Sequence, residues 1–245
     1  MCTLAIALGV DRRWPVVVAA NRDERLGRAA EGWAARTTPG GVRWAGPRDA
    51  VAGGTWIGLS SRGVLAALTN FHAPLGWYPD PSRRSRGELV PRALEAPSAA
   101  AAREALAPLD PAAWNPFHLV VADTASAFLW WFDGEAAGVE PLGPGLHLVT
   151  EDSRHGLGPR GDLVRGRWPL ELAPGRLREV LSLHAPPHPA PTCLHVEPHY
   201  GTRSAAVVRL PAELRHAELY AADGPPCTFP LEDRSALVAA LARSP

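Results

Sequence analysis

A cysteine at position 2, directly behind the initiator Met, is the residue of this chain best placed to do chemistry. Initiator Met is usually trimmed when the next residue is small, which leaves Cys2 carrying both a thiol and a free α-amine. That amine has a pKa of about 8, so a fraction is neutral at physiological pH and can take the thiol proton while the same residue's sulfur attacks an acyl carbon. The plain alternative is a small apolar residue opening a buried strand, a common fate of free cysteine. A second group, His184, His188, Cys193, His195 and His199, gathers metal-ligating residue types. A His pair at i, i+4 needs a helix to share a face, and Pro186, Pro187, Pro189, Pro191 and Pro198 forbid one there. The spacings match no zinc motif, so no metal is expected. No Ser-His-Asp order, phosphate loop or dinucleotide fingerprint occurs in its required context, and no cofactor is expected.

Residues 2–10 and 14–20 are apolar, β-branched runs separated by Asp11-Arg12-Arg13, which predicts a hairpin that starts at Cys2. A polar, Gly-rich stretch at 36–54 reads as a connection. Segments 55–59 and 64–71 form a second hairpin around Ser60-Ser61-Arg62-Gly63. Helical composition fills 85–109, with Ser98 placed to cap 99–107. Segments 119–122 and 127–132 read as a third hairpin, and 146–150 as a strand. Helices are expected at 160–168, 175–183 and 231–243, and strands at 193–196, 204–210 and 217–221. Hairpin-linked strands dominate over βαβ crossovers, which argues for antiparallel sheets in a single domain spanning 1–245 and against a Rossmann sheet. Alternation puts one of Trp130 and Trp131 inside and one out, as on an ordinary amphipathic strand.

The formal net charge is zero, with 25 basic and 25 acidic residues, and the sequence pI is about 7.1; nucleic acid and anionic lipid are therefore not expected partners. Every basic residue is Arg, a bias read as coding composition rather than function. Three cysteines without short spacing signal no disulfide framework. The first apolar run is cut short at Asp11 and lacks a basic leader, so it reads as neither signal peptide nor membrane span; a cytoplasmic protein without membrane insertion is expected.

Ala19-Ala20-Asn21-Arg22-Asp23-Glu24 follows the Val-rich strand, and Met1-Cys2-Thr3 precedes it at hairpin distance. With Gly54-Thr55-Trp56-Ile57-Gly58, Leu68-Thr69-Asn70-Phe71, Asn115-Pro116-Phe117-His118 and Tyr200-Gly201-Thr202-Arg203-Ser204, this pattern resembles the NRDE family, relatives of transport and Golgi organisation protein 2, over nearly the whole chain. The resemblance implies an α+β fold similar to the N-terminal-nucleophile hydrolases, a four-layer αββα sandwich of two antiparallel sheets with Cys2 at the end of a central strand. It further implies a catalytic group of Cys2, Arg22 and Asp23, with Asn70 in the oxyanion hole, and Asn21, Glu24 and Arg203 as substrate-binding candidates at the same pocket. The activity implied is an N-terminal-cysteine hydrolase or acyltransferase acting on a non-peptide amide or thioester. The alternative is a non-catalytic carrier for a hydrophobic small molecule, haem or an acyl-CoA or lipid. The sequence departs from the family pattern at Thr150-Glu151-Asp152-Ser153, where a Ser-Asn pair is expected, and so places negative charge where an amide would stand.

Overall fold

The computed structural model describes residues 2–72, 79–184, 187, 190–196 and 198–243. The chain opens with β1 (Thr3–Leu8) antiparallel to β2 (Val16–Arg25), in the register Thr3 opposite Asn21 and Leu8 opposite Val16. From Leu4 to Leu8 and from Val16 to Ala20 both strands are apolar, because both faces are covered. Leu4, Ile6, Leu8, Val16 and Val18 point to one face, and Ala5, Ala7, Val17 and Ala19 to the other. β10 (Gly145–Thr150) flanks β1, while β12 (Tyr200–Leu210), β13 (Glu218–Ala222) and β14 (Glu232–Asp233) continue outward from β2; β11 (His195–Val196) pairs with β12.

The second sheet is a meander of β3 (Ala30–Thr37), β4 (Arg43–Asp49), β5 (Ile57–Ser60), β6 (Leu65–Asn70), β7 (Phe117–Ala122), β8 (Ala127–Phe132) and β9 (Ala137–Pro141). Its inner face, including Ile57, Leu59, Leu65, Val120 and Leu129, packs on Leu4, Ile6, Val18 and Val208 of the first sheet. Each of these fully buried side chains contributes about 2 kcal/mol of apolar transfer free energy. α1 (Leu89–Leu94) and α2 (Ala99–Leu106) cover the outer face of the meander through Leu89, Val90, Leu94 and Ala102 against Ala66, Phe117 and Leu119. α3 (Pro159–Arg167) and α4 (Pro174–Leu181) cover the outer face of the first sheet through Val164, Leu177 and Leu181. α5 (Ser235–Leu241) sends Val238 into the core between the sheets. The result is the expected αββα sandwich. Ser98 caps α2 as expected, its hydroxyl accepting from the Ala101 N–H.

Three expectations need correcting. The stretch read as a connection at 36–54 carries β4 and the end of β3. β3 is an edge strand, mostly exposed and bulged between Glu31 and Ala34, so it lacks the alternation by which strands are recognised. The Asn-Arg-Asp-Glu segment does not follow the second strand but lies within it. β2 runs on to Arg25 because β12 pairs with its polar half, Thr202 opposite Asp23 and Ser204 opposite Arg22, with a bulge at Arg203. The strand expected at 193–196 is reduced to His195–Val196.

Candidate active site

Because Thr3 pairs with Asn21, Cys2 emerges from β1 beside Arg22 and Asp23 of β2. Its Sγ donates to the Asp23 carbonyl oxygen at 3.7 Å, and the residue is half-buried. Burial pushes the Cys2 thiol up to about 11; the positive amino terminus opposes this, and the Asp23 and Glu151 carboxylates reinforce it. In this state the sulfur is a thiol at neutral pH and needs a base before it can attack.

Asp23 is buried, its Oδ1 accepting from the Thr202 hydroxyl at 2.6 Å. Burial raises its carboxyl to about 6, opposed by the amino terminus, the Thr202 hydrogen bond and Arg160. The Tyr200 hydroxyl donates to the Asp23 carbonyl oxygen at 3.1 Å, which fixes the strand end on which the carboxylate rides. Arg22 is also buried. Its guanidinium lies 4.1 Å above the Trp56 ring, 3.5 Å from Glu24 and 4.0 Å from Asp49. Burial lowers its pKa, with Glu24 the foremost of the charges that oppose the change. Arg28 completes the network, 2.7 Å from Asp49 and 3.7 Å from Glu24.

These groups open onto a cavity of about 740 Å³. Cys2, Arg22, Asp23, Glu24 and Asn70 line it together, so five of the residues singled out in the sequence converge there. Asn70 arrives at the end of β6, held in register by Phe117. Among the described residues the wall holds six arginines (Arg22, Arg25, Arg28, Arg83, Arg84, Arg86) against four carboxylates (Asp23, Glu24, Asp49, Asp80), a positive balance that favours negative charge in the cavity.

The other two candidates sit elsewhere. Asn21 has the parity of Val17 and Ala19, so its amide faces the helices and donates at 2.8 Å to both the Leu181 and Thr192 carbonyls, tying down the end of α4. Arg203, thrown outward by the bulge, donates to the Leu26 carbonyl and lines a separate small cavity of about 230 Å³. Glu151, at the departure from the family pattern, is buried, and its charge bears on Cys2, Asp23 and Tyr200. His118, beneath the floor, bonds Thr69 Oγ1 at 3.3 Å and the Thr150 carbonyl at 3.2 Å through Nδ1, and burial pulls its pKa down to about 4.

Arg86 was not marked by the sequence. It occupies a single 3-10 turn (Arg86–Glu88) ahead of α1, and its Nη1 donates to the Pro116 carbonyl at 3.0 Å. Burial lowers it to about 10, and the first charge opposing that fall is Cys2. Its placement depends on backbone meeting backbone: the Thr55 N–H donates to the Gly87 carbonyl at 3.0 Å, and a Cβ on Gly54 would sit 2.5 Å from the Gly87 carbonyl carbon. The Gly54-Thr55 pair was the available signal. Asn115 pins the loop that supplies Asp80 and Arg83, donating to the Asp80 carbonyl at 2.8 Å and accepting from its N–H at 2.9 Å.

Of the residues weighed for metal binding, Cys193 and His195 come together with Cys227, a partner too distant in sequence for spacing rules; His188 lies outside the described residues. His72, Glu151 and Asp152 also approach one another, at the rim near Cys2. No helix among the described residues is long and apolar enough to cross a membrane.

Solved structures with a similar fold include N-terminal-nucleophile hydrolases. Penicillin V acylase from Agrobacterium tumefaciens superposes with a TM-score of 0.56 at 11% identity, covering 97% of this chain and 88% of that one. A Caenorhabditis elegans N-acylethanolamine-hydrolyzing acid amidase ortholog gives 0.57 at 14%, covering 85% and 92%. A conjugated bile acid hydrolase from Clostridium perfringens gives 0.52 at 12%, covering 96% and 93%. What is shared at such identities is the fold. Residues 1–161 match the family model described as Transport and Golgi organisation 2, and the chain belongs to that family. Transport and Golgi organization protein 2 homologs from Homo sapiens and Bos taurus are 34% identical over 116 residues and 33% over 114. Those stretches take in 46% and 45% of this chain and 40% of each relative.

Proposed function

We propose that the chain, once Met1 is removed, is an N-terminal-cysteine hydrolase or acyltransferase acting on a non-peptide amide or thioester that carries an anionic group. One observation carries this reading: Cys2, immediately before β1, meets Asp23, near the end of β2, on the wall of an arginine-lined cavity. The Cys2 thiol passes its proton to its own α-amine, and the sulfur attacks the substrate's acyl carbon. Asn70 and Arg86 face the developing oxyanion, an interaction of a few kcal/mol in a preorganised site. Asp23 holds the ammonium. As the tetrahedral species collapses, the acyl C–N or C–S bond breaks and the leaving group departs with the ammonium proton. Water, deprotonated by the freed amine, then cleaves the Cys2 thioester; another nucleophile in its place makes the reaction a transfer.

The structural neighbours support this reading, being a penicillin V acylase, an N-acylethanolamine-hydrolyzing acid amidase ortholog and a conjugated bile acid hydrolase. The test combines the intact mass of the purified protein with trapping by N-acyl amides and thioesters bearing a carboxylate or phosphate. Loss of Met1 and an acyl adduct on Cys2, absent in Cys2→Ala, are expected. Complete retention of Met1, or equal turnover by Cys2→Ala, would sink the proposal. The arginine lining also suits a carrier of an anionic hydrophobic ligand such as haem or an acyl-CoA. Binding of such a ligand unaltered in Cys2→Ala, without turnover by the wild type, would favour that second reading.

A further inference from the structure

Away from the arginine-lined cavity, two loops bring three soft donor atoms to one point. Cys193, buried, lies just before β11, and His195 is the first residue of that strand; Cys227, half-buried, lies on the turn between β13 and β14. Cys193 Sγ is 3.6 Å from Cys227 Sγ and 3.6 Å from His195 Nε2, and His195 Nε2 is 3.1 Å from Cys227 Sγ. A tetrahedral zinc ion with bonds of about 2.3 Å to sulfur and about 2.0 Å to nitrogen holds its ligand atoms about 3.5–3.8 Å apart. Two of the three separations already have that value, and the third needs a small rotation of an exposed imidazole. At 3.6 Å the two sulfurs are not joined as a disulfide, whose bond is about 2.0 Å.

We propose that Cys193, His195 and Cys227 form a zinc site, with two thiolates and one imidazole as ligands. His184 lies nearby, its ring centroid 6.0 Å from that of His195. Two sulfurs and an imidazole in tetrahedral spacing select zinc over magnesium or calcium, which take oxygen ligands. Each thiol loses its proton to solvent as its bond to the metal forms, so binding releases two protons and changes no oxidation state. The ion would clamp the connector after α4 to the β13–β14 turn. That connector supports the active site at one remove: the Leu194 N–H donates to Thr202 Oγ1 at 2.8 Å, and the same hydroxyl donates to Asp23.

The test uses the full chain purified under reducing conditions without chelator, assayed by elemental analysis, by competition with a chromophoric chelator and by cobalt substitution. About one zinc per chain is expected, with cobalt giving a thiolate charge-transfer band. Cys2→Ser keeps both. Cys227→Ser loses the band, and His195→Ala, at an exposed position where folding is not at stake, weakens zinc by at least about tenfold. Wild-type zinc binding no tighter than that of Cys227→Ser and His195→Ala overturns the proposal. So does an intact mass short of two hydrogens with Cys193 and Cys227 blocked to alkylation in protein isolated from a reducing cytosol, since that assigns the pair to a disulfide.

Discussion

Replacing Asp23 with Asn changes how stability depends on pH, by an amount that follows from its burial. The folded carboxyl titrates at about 6 against an ordinary 3.8. Between those values the unfolded chain has released a proton that the folded protein retains, so the stability this group contributes is present below pH 4 and is lost as pH rises through 6. The gap is worth about 3 kcal/mol. His118 acts in the same window with the opposite sign. Its folded value of about 4 lies below the ordinary 6.5, so acid favours the unfolded chain, which takes up a proton that the buried imidazole refuses. Its penalty also reaches about 3 kcal/mol, fully present below pH 4 and gone above 6.5. The two slopes mask one another in the wild type, and each emerges only when the other group is removed. Asn at 23 keeps an oxygen for the Thr202 hydroxyl. Urea unfolding followed by tryptophan fluorescence from pH 4 to pH 7 is the assay. Relative to wild type, Asp23→Asn should gain about 3 kcal/mol across that range, and His118→Gln should lose a similar amount. The double variant should show the sum, as for independent sites. A difference between Asp23→Asn and wild type that stays flat within about 1 kcal/mol would refute a buried, high-titrating Asp23.

Gly54→Ala is expected to move Arg86 without touching it, because the new methyl meets the Gly87 backbone at 2.5 Å. It should cost about 1–3 kcal/mol of stability and, by withdrawing a cation, slow the alkylation of Cys2 by iodoacetamide as Arg86→Ala does; equal rates in wild type and Gly54→Ala would separate the two. Asn21→Ala strips the amide donor from two carbonyls in the helical layer, Leu181 and Thr192. It should destabilise by about 2 kcal/mol while leaving the Cys2 alkylation rate unchanged, and a large rate change would return Asn21 to the active site.

The sequence was legible where apolar periodicity and turn chemistry coincide. The hairpin of β1 and β2, the cap at Ser98 and the position of Asn70 at a strand end all follow from that agreement. Polar strands were hidden. β2 continues through Asn21, Arg22 and Asp23 only because β12 supplies hydrogen bonds to that half, and no residue within the segment advertises its neighbour. Missing the continuation meant missing parity, which would have turned Asn21 toward the helices. The bulge that expels Arg203 is equally a property of the pair of strands. Arg86 and Cys227 depend on contacts over long sequence separations, Gly87 on Thr55 and Cys227 on Cys193, and no local pattern encodes either.

The acidic departure at Glu151 takes on meaning from the charges around Cys2. Asp23 and Glu151 both disfavour a thiolate, while the amino terminus favours one; the Cys2 charge in turn opposes the lowering of Arg22 and Arg86. In a chain that still carries Met1, burial prevails and the sulfur stays protonated. In the proposed reaction, with the amine belonging to Cys2 itself, the same carboxylates would hold it as ammonium and the arginines would stabilise the sulfur as thiolate. The proton transfer that opens the proposed reaction is then favoured by fixed charges on both sides. An amide in place of Glu151 would supply a dipole where this chain supplies a full charge, so the departure strengthens the ammonium half of that pair.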